Sequence, residues 1–339
     1  MLLYAGELVS ADAQLRRLEN TCGEQFTDLM TLLRAQHARL AGDLAGARSL
    51  LVPLASTEAA PPVRPLAVAF LVETLVESGE IESAAAKLGE YDFDELMAGA
   101  QITRPLFLAA RGILHFASGR FPEAVEDFLS CMRLPVTEMV ALSAVMRRRG
   151  LAALAADGAG GRQRLSATLA AQEEEAALAW GSPAYVGWAL YTRAMVERSE
   201  ETTRLLDDAI DLMDVARSRV GLANACYELG SRLAASGNET AAKEKLERAA
   251  LLARQIGNAK LADKAHTVLR GLAQNDQLRS LTTQELKIAE LARAGYSNKQ
   301  IAERLFLAVR TIEFHLSNVY RKLQISGRRE LMDGTIKLL

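Results

Sequence analysis

The side chains best suited to chemistry share one face of a helix predicted near the end of the sequence, over about residues 309–323. One stripe of this helix is apolar at steps of four, three and four residues: Ile312, Leu316, Val319 and Leu323. The opposite stripe carries Arg310, Glu313, Phe314, Ser317 and Arg321. Guanidinium, carboxylate and hydroxyl groups can hydrogen-bond to DNA base edges, and a phenyl ring can contact a thymine methyl group. An ordinary solvated face would explain the charges but not Phe314, so the pattern favours a face that meets the major groove.

Short helices must position that face, and the sequence marks where they start. Thr282 with Glu285, and Ser297 with Gln300, have the spacing of capping boxes, in which each side chain satisfies a backbone N–H at a helix start. The predicted helices cover residues 283–294, 298–305 and 309–323, with a fourth from about 328. A break at 306–308 joins the second helix to the third, which is the arrangement of a helix-turn-helix.

The segment from Leu281 onward resembles the DNA-binding domain of the LuxR family. The matching residues are Leu281, Thr282, Glu285, Gly295, Ser297 to Ala302, Leu305 to Leu307, Thr311 to Leu323 and Arg329 to Leu331. The run TIEFHLSNVYRKL is also similar to the large regulators of this family that join an ATP-binding module and helical repeats to this domain. By that resemblance the chain is a shortened member without the ATP-binding module, and an incomplete chain remains the alternative.

Four positions depart from the pattern of that family. Ala308 stands where Ser is common, so the third helix is expected to lack a side-chain cap. Gln324 replaces a common Gly after that helix, which predicts strain in the turn. Gln284 replaces a frequent Arg, and Glu313 stands where many members have Lys. These departures leave the fold in place and put the target sequence and affinity in doubt.

Geometry and the resemblance together imply roles for named residues. The candidates for reading base edges are Arg310, Glu313, Phe314 and Ser317. The candidates for contacting phosphates are Asn298, Lys299, Thr311, Arg321 and Lys322. The resemblance also implies double-stranded DNA and RNA polymerase as partners, and a homodimer formed on DNA through the last helix, about Arg328 to Leu338.

The preceding sequence predicts a repeated helical body. Turn signals near residues 42, 79, 119, 158, 199 and 237 recur about every 40 residues, which indicates repeated units. Around Gly119, for example, helix-like stretches run from Pro105 to Ser118 and from Pro122 to Met132. We therefore predict an all-α protein whose residues 1–273 form a solenoid similar to tetratricopeptide repeats. A linker over 274–280 and a four-helix domain over 281–339 follow.

Such a solenoid has a concave surface, which is suited to binding a protein, a peptide or a small effector. The richest aromatic group of the body is a possible effector patch, formed by Trp180, Tyr185, Trp188 and Tyr191. Packing between repeats is the alternative explanation for these side chains.

Several kinds of chemistry find no support in the sequence. Gly158 to Gly161 is glycine-rich, but the phosphate-binding motif G-x-x-x-x-G-K-[ST] occurs nowhere. The three cysteines are scattered, and no spacing of Cys and His is typical of a metal site. We therefore expect no enzyme activity, no cofactor and no metal. No apolar run is long enough to cross a membrane, so we expect a cytoplasmic protein without a membrane partner.

Charge is divided unequally along the chain. From Asp276 onward there are 11 Lys and Arg against 7 Asp and Glu, or +4, while the remainder has 29 against 35, or −6. A basic terminal segment on an acidic body is expected if that segment alone meets nucleic acid. The sequence thus predicts a transcriptional regulator whose body senses an effector or partner and whose terminal domain binds promoters. The alternative is an interaction scaffold with a degenerate DNA-binding tail.

Overall fold

The computed structural model describes residues 3, 7–56, 63–91, 93, 103–133 and 147–332. The regular elements in these ranges are helices, so the predicted all-α class is confirmed. They comprise one short 3-10 helix, Glu24–Phe26, and the following α-helices: α1 (Leu8–Thr21), α2 (Thr27–Leu40), α3 (Leu44–Leu54), α4 (Val63–Glu77), α5 (Ile81–Gly89), α6 (Arg104–Ala117), α7 (Phe121–Arg133), α8 (Arg148–Gly158), α9 (Gln163–Trp180), α10 (Pro183–Glu197), α11 (Thr202–Val215), α12 (Arg219–Ala235), α13 (Glu239–Gln255), α14 (Ala259–Arg279), α15 (Thr283–Arg293), α16 (Asn298–Leu305), α17 (Val309–Lys322) and α18 (Arg328–Met332). Within the described ranges, no helix combines the length and apolar character that a membrane span needs.

The chain forms two compact units, Met1–Ala265 and His266–Leu339. Helix α14 passes through the division between them. Helix α14 continues to Arg279 and so includes most of the segment 274–280, where the sequence predicts a linker. Those residues contain neither Gly nor Pro, so nothing in their sequence forces the helix to end there. The functional division at residues 273 and 281 stays a prediction.

The first unit is a solenoid of helix pairs. Glycines at the predicted turns Gly42, Gly79, Gly119 and Gly237 have φ between 74° and 84°, a left-handed conformation that costs glycine little. At the fourth marker α8 runs through Gly158, and the left-handed residues follow at 160 and 161. The short turns make consecutive helices neighbours, and each helix buries its apolar face against the next.

Pair α6–α7 shows how closely the helices approach. Leu106 and Leu114 of α6 are buried, and Phe107 and Phe128 are among the largest fully buried side chains. A Cβ atom built on Gly112 of α6 would lie 2.6 Å from the Phe128 ring. The absence of a side chain at this position therefore allows the aromatic ring of α7 to lie directly on the backbone of α6.

The two ends of this helix array meet. Leu44, at the start of α3, is buried in one cluster with apolar residues of α12, α13 and α14, including Ala223, Ile256 and Leu261. Nearby, Asn258 Nδ2 donates to the backbone carbonyl of Glu77 at 2.9 Å, although 181 residues separate the two. The early repeats therefore pack against the late ones, and the first unit is closed by a seam between α3–α4 and α12–α14.

A buried ionic cluster joins three helices inside this unit. Glu73 of α4 accepts from Arg148 Nη2 at 2.6 Å and lies 3.2 Å from Arg39 Nη2. Glu77 accepts from Arg39 Nη1 at 2.9 Å, and Arg147 Nη2 is 3.9 Å away from the same oxygen. Burial alone would raise the pKa of Glu73, but Arg148 and Arg39 hold it below its usual range. The cluster therefore ties α2, α4 and α8 together through charged groups that little water reaches.

Glu73→Gln should lower the free energy of unfolding of the first unit by about 3 kcal/mol, because it leaves two buried guanidinium groups without their shared carboxylate. Both tryptophans, Trp180 and Trp188, lie in this unit, so urea unfolding followed by tryptophan fluorescence measures it directly. Glu82→Gln, at an exposed position of α5, is the control and should change stability by less than about 0.5 kcal/mol. Equal effects of the two substitutions would contradict the cluster.

Leu44→Ala should destabilise the first unit by about 3 kcal/mol, because it opens a cavity at the seam. Leu178 of α9 is 60% exposed, so Leu178→Ala makes the same chemical change without a cavity. The two variants are compared by the same urea titration. Similar midpoints would show that Leu44 is solvated and the array open.

Candidate nucleic-acid interface

Both predicted capping boxes are present in the second unit. Thr282 N donates to Glu285 Oε2 at 2.8 Å, and the Thr282 hydroxyl accepts from Glu285 N at 3.2 Å. Ser297 and Gln300 make the same exchange at the start of α16. Gly295 has φ of 89° and directs the chain from α15 into α16. Local sequence signals thus determine where these two helices begin.

The predicted apolar stripe of α17 is buried. It lies in a single core with residues of α15, α16 and α18. The buried members of this core, including the stripe, are Ile288, Ala289, Ala292, Ile301, Ala302, Ile312, Leu316, Val319, Leu323 and Leu331. This core fixes the rotation of α17 about its own axis. The opposite stripe must therefore face outward.

An ion pair reinforces the position of α17. Lys322 Nζ, in the last turn, donates to Glu285 Oε2 at 2.6 Å and to the Ser280 carbonyl at 2.9 Å. Burial alone would raise the pKa of Glu285, but its bonds to Lys322 and Thr282 hold it below the ordinary value. One carboxylate therefore caps the start of α15 and fixes the end of α17.

The turn before α17 contains two unusual residues. Phe306 ends α16 with φ of 55°, a left-handed conformation that is rare for a bulky side chain, and its side chain is 95% exposed. Ala308 precedes α17 and offers no side-chain cap, as predicted. Leu307 N donates to the Ala302 carbonyl at 3.0 Å, which closes the turn. The sequence marked this break but did not single out Phe306 as a functional residue.

The five residues of the outward stripe of α17 are all exposed: Arg310, Glu313, Phe314, Ser317 and Arg321. Phe314 is 65% exposed, which is unusual for an aromatic side chain in a small domain and costs hydrophobic free energy. The Ser317 hydroxyl donates to the carbonyl of Glu313 at 2.9 Å and keeps its lone pairs available. The structure therefore brings the predicted base-reading side chains together on one accessible surface.

The candidate phosphate contacts divide into two groups. Lys299 and Arg321 are exposed, and Thr311 is half-buried at the start of α17. Asn298 and Lys322 already have partners within the domain: Asn298 Oδ1 accepts from Arg328 at 2.9 Å, and Lys322 pairs with Glu285. These two positions therefore stabilise the domain in the free protein.

The predicted effector patch in the first unit is partly assembled. Trp188 and Tyr191 stack with ring centroids 5.5 Å apart. Tyr185 and Trp188 line one cavity, while Trp180, at the end of α9, is 40% exposed. Two of the four aromatic side chains therefore line a small cavity, and Trp180 and Tyr191 are not among its lining residues.

Residues 279–334 match the model of the family described as bacterial regulatory proteins, luxR family. The oxygen regulatory protein NreC of Staphylococcus carnosus (strain TM300) is 41% identical over 63 residues, 19% of this chain and 29% of that protein. NreC of Staphylococcus haemolyticus (strain JCSC1435) is 38% identical over 66 residues, 20% of this chain and 30% of that protein. The chain thus spans about three tenths of the length of these relatives. The terminal segment is a LuxR-type helix-turn-helix domain, as its sequence predicts.

A solved structure resembles the chain over most of its length. The crystal structure of Rap protein complexed with competence and sporulation factor has a TM-score of 0.59 and 13% sequence identity, and the match covers 98% of this chain and 96% of that one. At this identity the likeness concerns the fold alone. It confirms the helical-repeat architecture of the solenoid.

Glu285→Gln should lower the stability of the second unit by about 1–2 kcal/mol at pH 7, because a neutral amide cannot form the ion pair with Lys322. The folded-state pKa of Glu285 lies below its ordinary value of 4.5, so the carboxylate stabilises the fold above that pH and ceases to do so as the pH falls through the folded pKa. Amide exchange of α15, corrected for intrinsic rates, should show less protection in the variant at pH 7 and a smaller difference at pH 3. Glu290→Gln, exposed on the same helix, is the control, and a difference that does not depend on pH would contradict the ion pair.

Gln324→Gly should stabilise the second unit by about 1 kcal/mol, because Gln324 has φ of 55° and glycine adopts this conformation without a Cβ clash. The same change at exposed Gln284, in the first turn of α15, should destabilise by less than about 1 kcal/mol because glycine has a low helix propensity. Thermal unfolding followed by circular dichroism compares the two. A loss of stability at position 324 would show that the turn is unstrained.

Proposed function

We propose that the protein is a transcriptional regulator that binds promoter DNA by inserting α17 into the major groove. The observation that carries this proposal is the outward stripe of α17, which keeps Phe314 65% exposed while the other side of the helix is buried. A LuxR-type domain and its likeness to regulators named NreC support the same conclusion. An α-helix fits the major groove, where each base pair has a distinct pattern of donors and acceptors.

The outward stripe is assigned the reading of bases. Arg310 lies in the first turn of α17, and its guanidinium can donate two hydrogen bonds to guanine. Glu313 can accept from the amino group of cytosine, and Phe314 can contact a thymine methyl group. Ser317, one turn further along, can donate or accept. A carboxylate repels phosphate, so Glu313 contributes to binding only where it accepts a hydrogen bond from a base. Glu313 therefore favours sites that place a cytosine opposite it.

Phosphate contacts fix the position of the domain without reading sequence. Lys299, Thr311 and Arg321 are available in the free protein, whereas Asn298 and Lys322 must leave their internal partners to contribute. With few available cations, one domain should bind weakly, and its affinity should fall with rising salt. A homodimer formed on DNA through the last helix would double these contacts. Residues 333–338 of that predicted helix lie outside the described residues.

The solenoid is assigned the role of sensing an effector or a partner, with the patch around Trp188 as its site. The likeness to the Rap structure, whose protein is complexed with competence and sporulation factor, supports ligand binding by such a fold. RNA polymerase is the proposed partner at the promoter, and the cytoplasm is the proposed location. We propose neither an enzyme activity nor a cofactor.

The second candidate is an interaction scaffold whose tail no longer binds DNA productively. The uncapped α17, the left-handed Gln324 and the exposed Glu313 favour it, because each weakens the domain or its attraction for phosphate. The helical-repeat fold is compatible with this role. Tight promoter binding by the full-length protein would exclude it.

The test is genome-wide binding of the purified full-length protein to fragmented DNA of its source, beside the Glu313→Lys variant. Enrichment of a shared short palindrome that changes with the substitution is the expected result. Absence of enrichment at low salt, both for the full chain and for residues 259–339, would exclude DNA reading by this domain. Enrichment by the shorter chain alone would instead show that the body masks the domain.

Arg310→Ala and Phe314→Ala should each weaken binding to the recovered operator by about 5-fold to 150-fold, because each removes a base contact worth about 1–3 kcal/mol. Arg321→Ala should weaken binding to all sequences alike and reduce the salt dependence by about one phosphate contact. Fluorescence anisotropy at several salt concentrations measures both effects. Lys287→Ala, exposed on α15, is the control. Unchanged operator binding by the first two variants would contradict the orientation of α17.

A further inference from the structure

A groove of about 590 Å³ lies near the start of the first unit and opens to solvent. Its volume is within the range of small-molecule sites. Glu19 lines it from α1, Thr27 and Thr31 line it from α2, and Leu50 lines it from α3. None of the described residues of this groove lines the small cavity beside Trp188, so the two are separate features.

The charged side chains of the groove leave one carboxylate for a cation from outside. Arg34 is the one cation among the described lining residues. All three of its nitrogens already donate to carboxylates, Nε and Nη2 to Glu19 and Nη1 to Asp12, and Arg16 also pairs with Asp12. These bonds hold the pKa of Glu19 and that of Asp12 below their ordinary values, so both stay ionised. Glu24 is exposed, lines the groove and forms no ion pair with another described residue.

The hydroxyl groups of the groove are available as acceptors. Thr27 Oγ1 donates to the Glu24 carbonyl at 2.7 Å, and Thr31 Oγ1 donates to the Thr27 carbonyl at 2.9 Å. Each hydroxyl has thereby used its one proton and keeps a lone pair for a further donor. With the Glu24 carboxylate they form a row of acceptors at steps of three and four residues. An ammonium group, which has three donors and a positive charge, is suited to such a row.

Apolar side chains lie beside these acceptors. Met30, which is 8% exposed, lines the groove, and so does Leu50, which packs against the core of the first unit. An aliphatic chain can cover an apolar surface of this kind while its charged end stays among polar groups.

We infer that the groove binds a small organic ammonium ion. Its amine contacts Glu24 and the two threonine hydroxyls, and its aliphatic part lies on Met30 and Leu50. The site goes beyond the proposed regulator and depends neither on DNA binding nor on the aromatic patch. Because the groove has lining residues from both α1 and α2, an occupied site holds these two helices together.

The thiol of Cys22 reports occupancy, because it is half-buried and lines the groove. Cys131 and Cys226 are fully buried, and burial raises the pKa of each thiol to about 11, so iodoacetamide should alkylate Cys22 first. The full-length protein is alkylated in the presence of hexylamine, putrescine or phenethylamine, and peptide mass spectrometry gives the rate at Cys22. The rate of free glutathione in the same mixtures corrects for reagent that the amines consume.

We expect at least one amine to slow the alkylation of Cys22 in a saturable way, while hexanol, the neutral counterpart of hexylamine, has no effect. The same amine should raise the melting temperature of the first unit, because a ligand that binds the folded state stabilises it. No slowing by any of the three amines, equal slowing by hexanol, or an unreactive Cys22 would overturn the inference. Slowing by a lysine-containing peptide alone would also overturn it.

Glu24→Gln should weaken amine binding by about threefold to fivefold, as expected for an ion pair at an exposed site, and Glu24→Lys should abolish it by repulsion. Glu82→Gln and Glu82→Lys are the matched controls, since Glu82 is an exposed carboxylate in the first turn of α5 and does not line the groove. Both controls should leave binding unchanged. Each variant is compared with its own alkylation rate without amine. Amine binding that survives Glu24→Lys would contradict the site.

Discussion

Burial of Leu44 among residues of α12, α13 and α14 is the interaction on which the architecture of the first unit depends. A helix pair cannot bury its apolar face by itself, and in an open array the first and last pairs leave a face in water. Here the two ends cover each other. Closure places Asn258, which precedes α14, on the backbone of Glu77, and residues of α1, α2, α10 and α11 line one small cavity.

In the second unit, the buried stripe of α17 determines which side chains of that helix are exposed. Ile312, Leu316 and Val319 fix the rotation of α17, and the pair between Lys322 and Glu285 fixes its end. The side chains of the outward stripe of α17 are thereby kept exposed to solvent. In the proposed function, such a preorganised face binds DNA without first losing the conformational entropy of a disordered helix.

Local and periodic features could be predicted from the sequence, and contacts between distant segments could not. Three predicted features depend on residues only a few positions apart. They are the capping boxes at Thr282 and Ser297, the turns that recur about every 40 residues, and the apolar stripe of α17. The seam, by contrast, joins Glu77 to Asn258 across 181 residues. The exposed Phe306 also escaped prediction, because a pattern of residue types shows neither a left-handed backbone nor the exposure of a single ring.

The seam has a consequence for how the protein is made. Ribosomes add roughly 5–20 residues per second, and Leu44 and Leu261 are separated by more than 200 positions, so Leu44 leaves the ribosome roughly 10–40 s before its partners. During that interval the growing array presents an uncovered apolar end. Helix α14, which completes the seam, is also the segment that leads into the DNA-binding unit. Ring closure and emergence of the DNA-binding unit are therefore consecutive events in biosynthesis, and a nascent chain stalled before α14 would expose a surface that chaperones recognise.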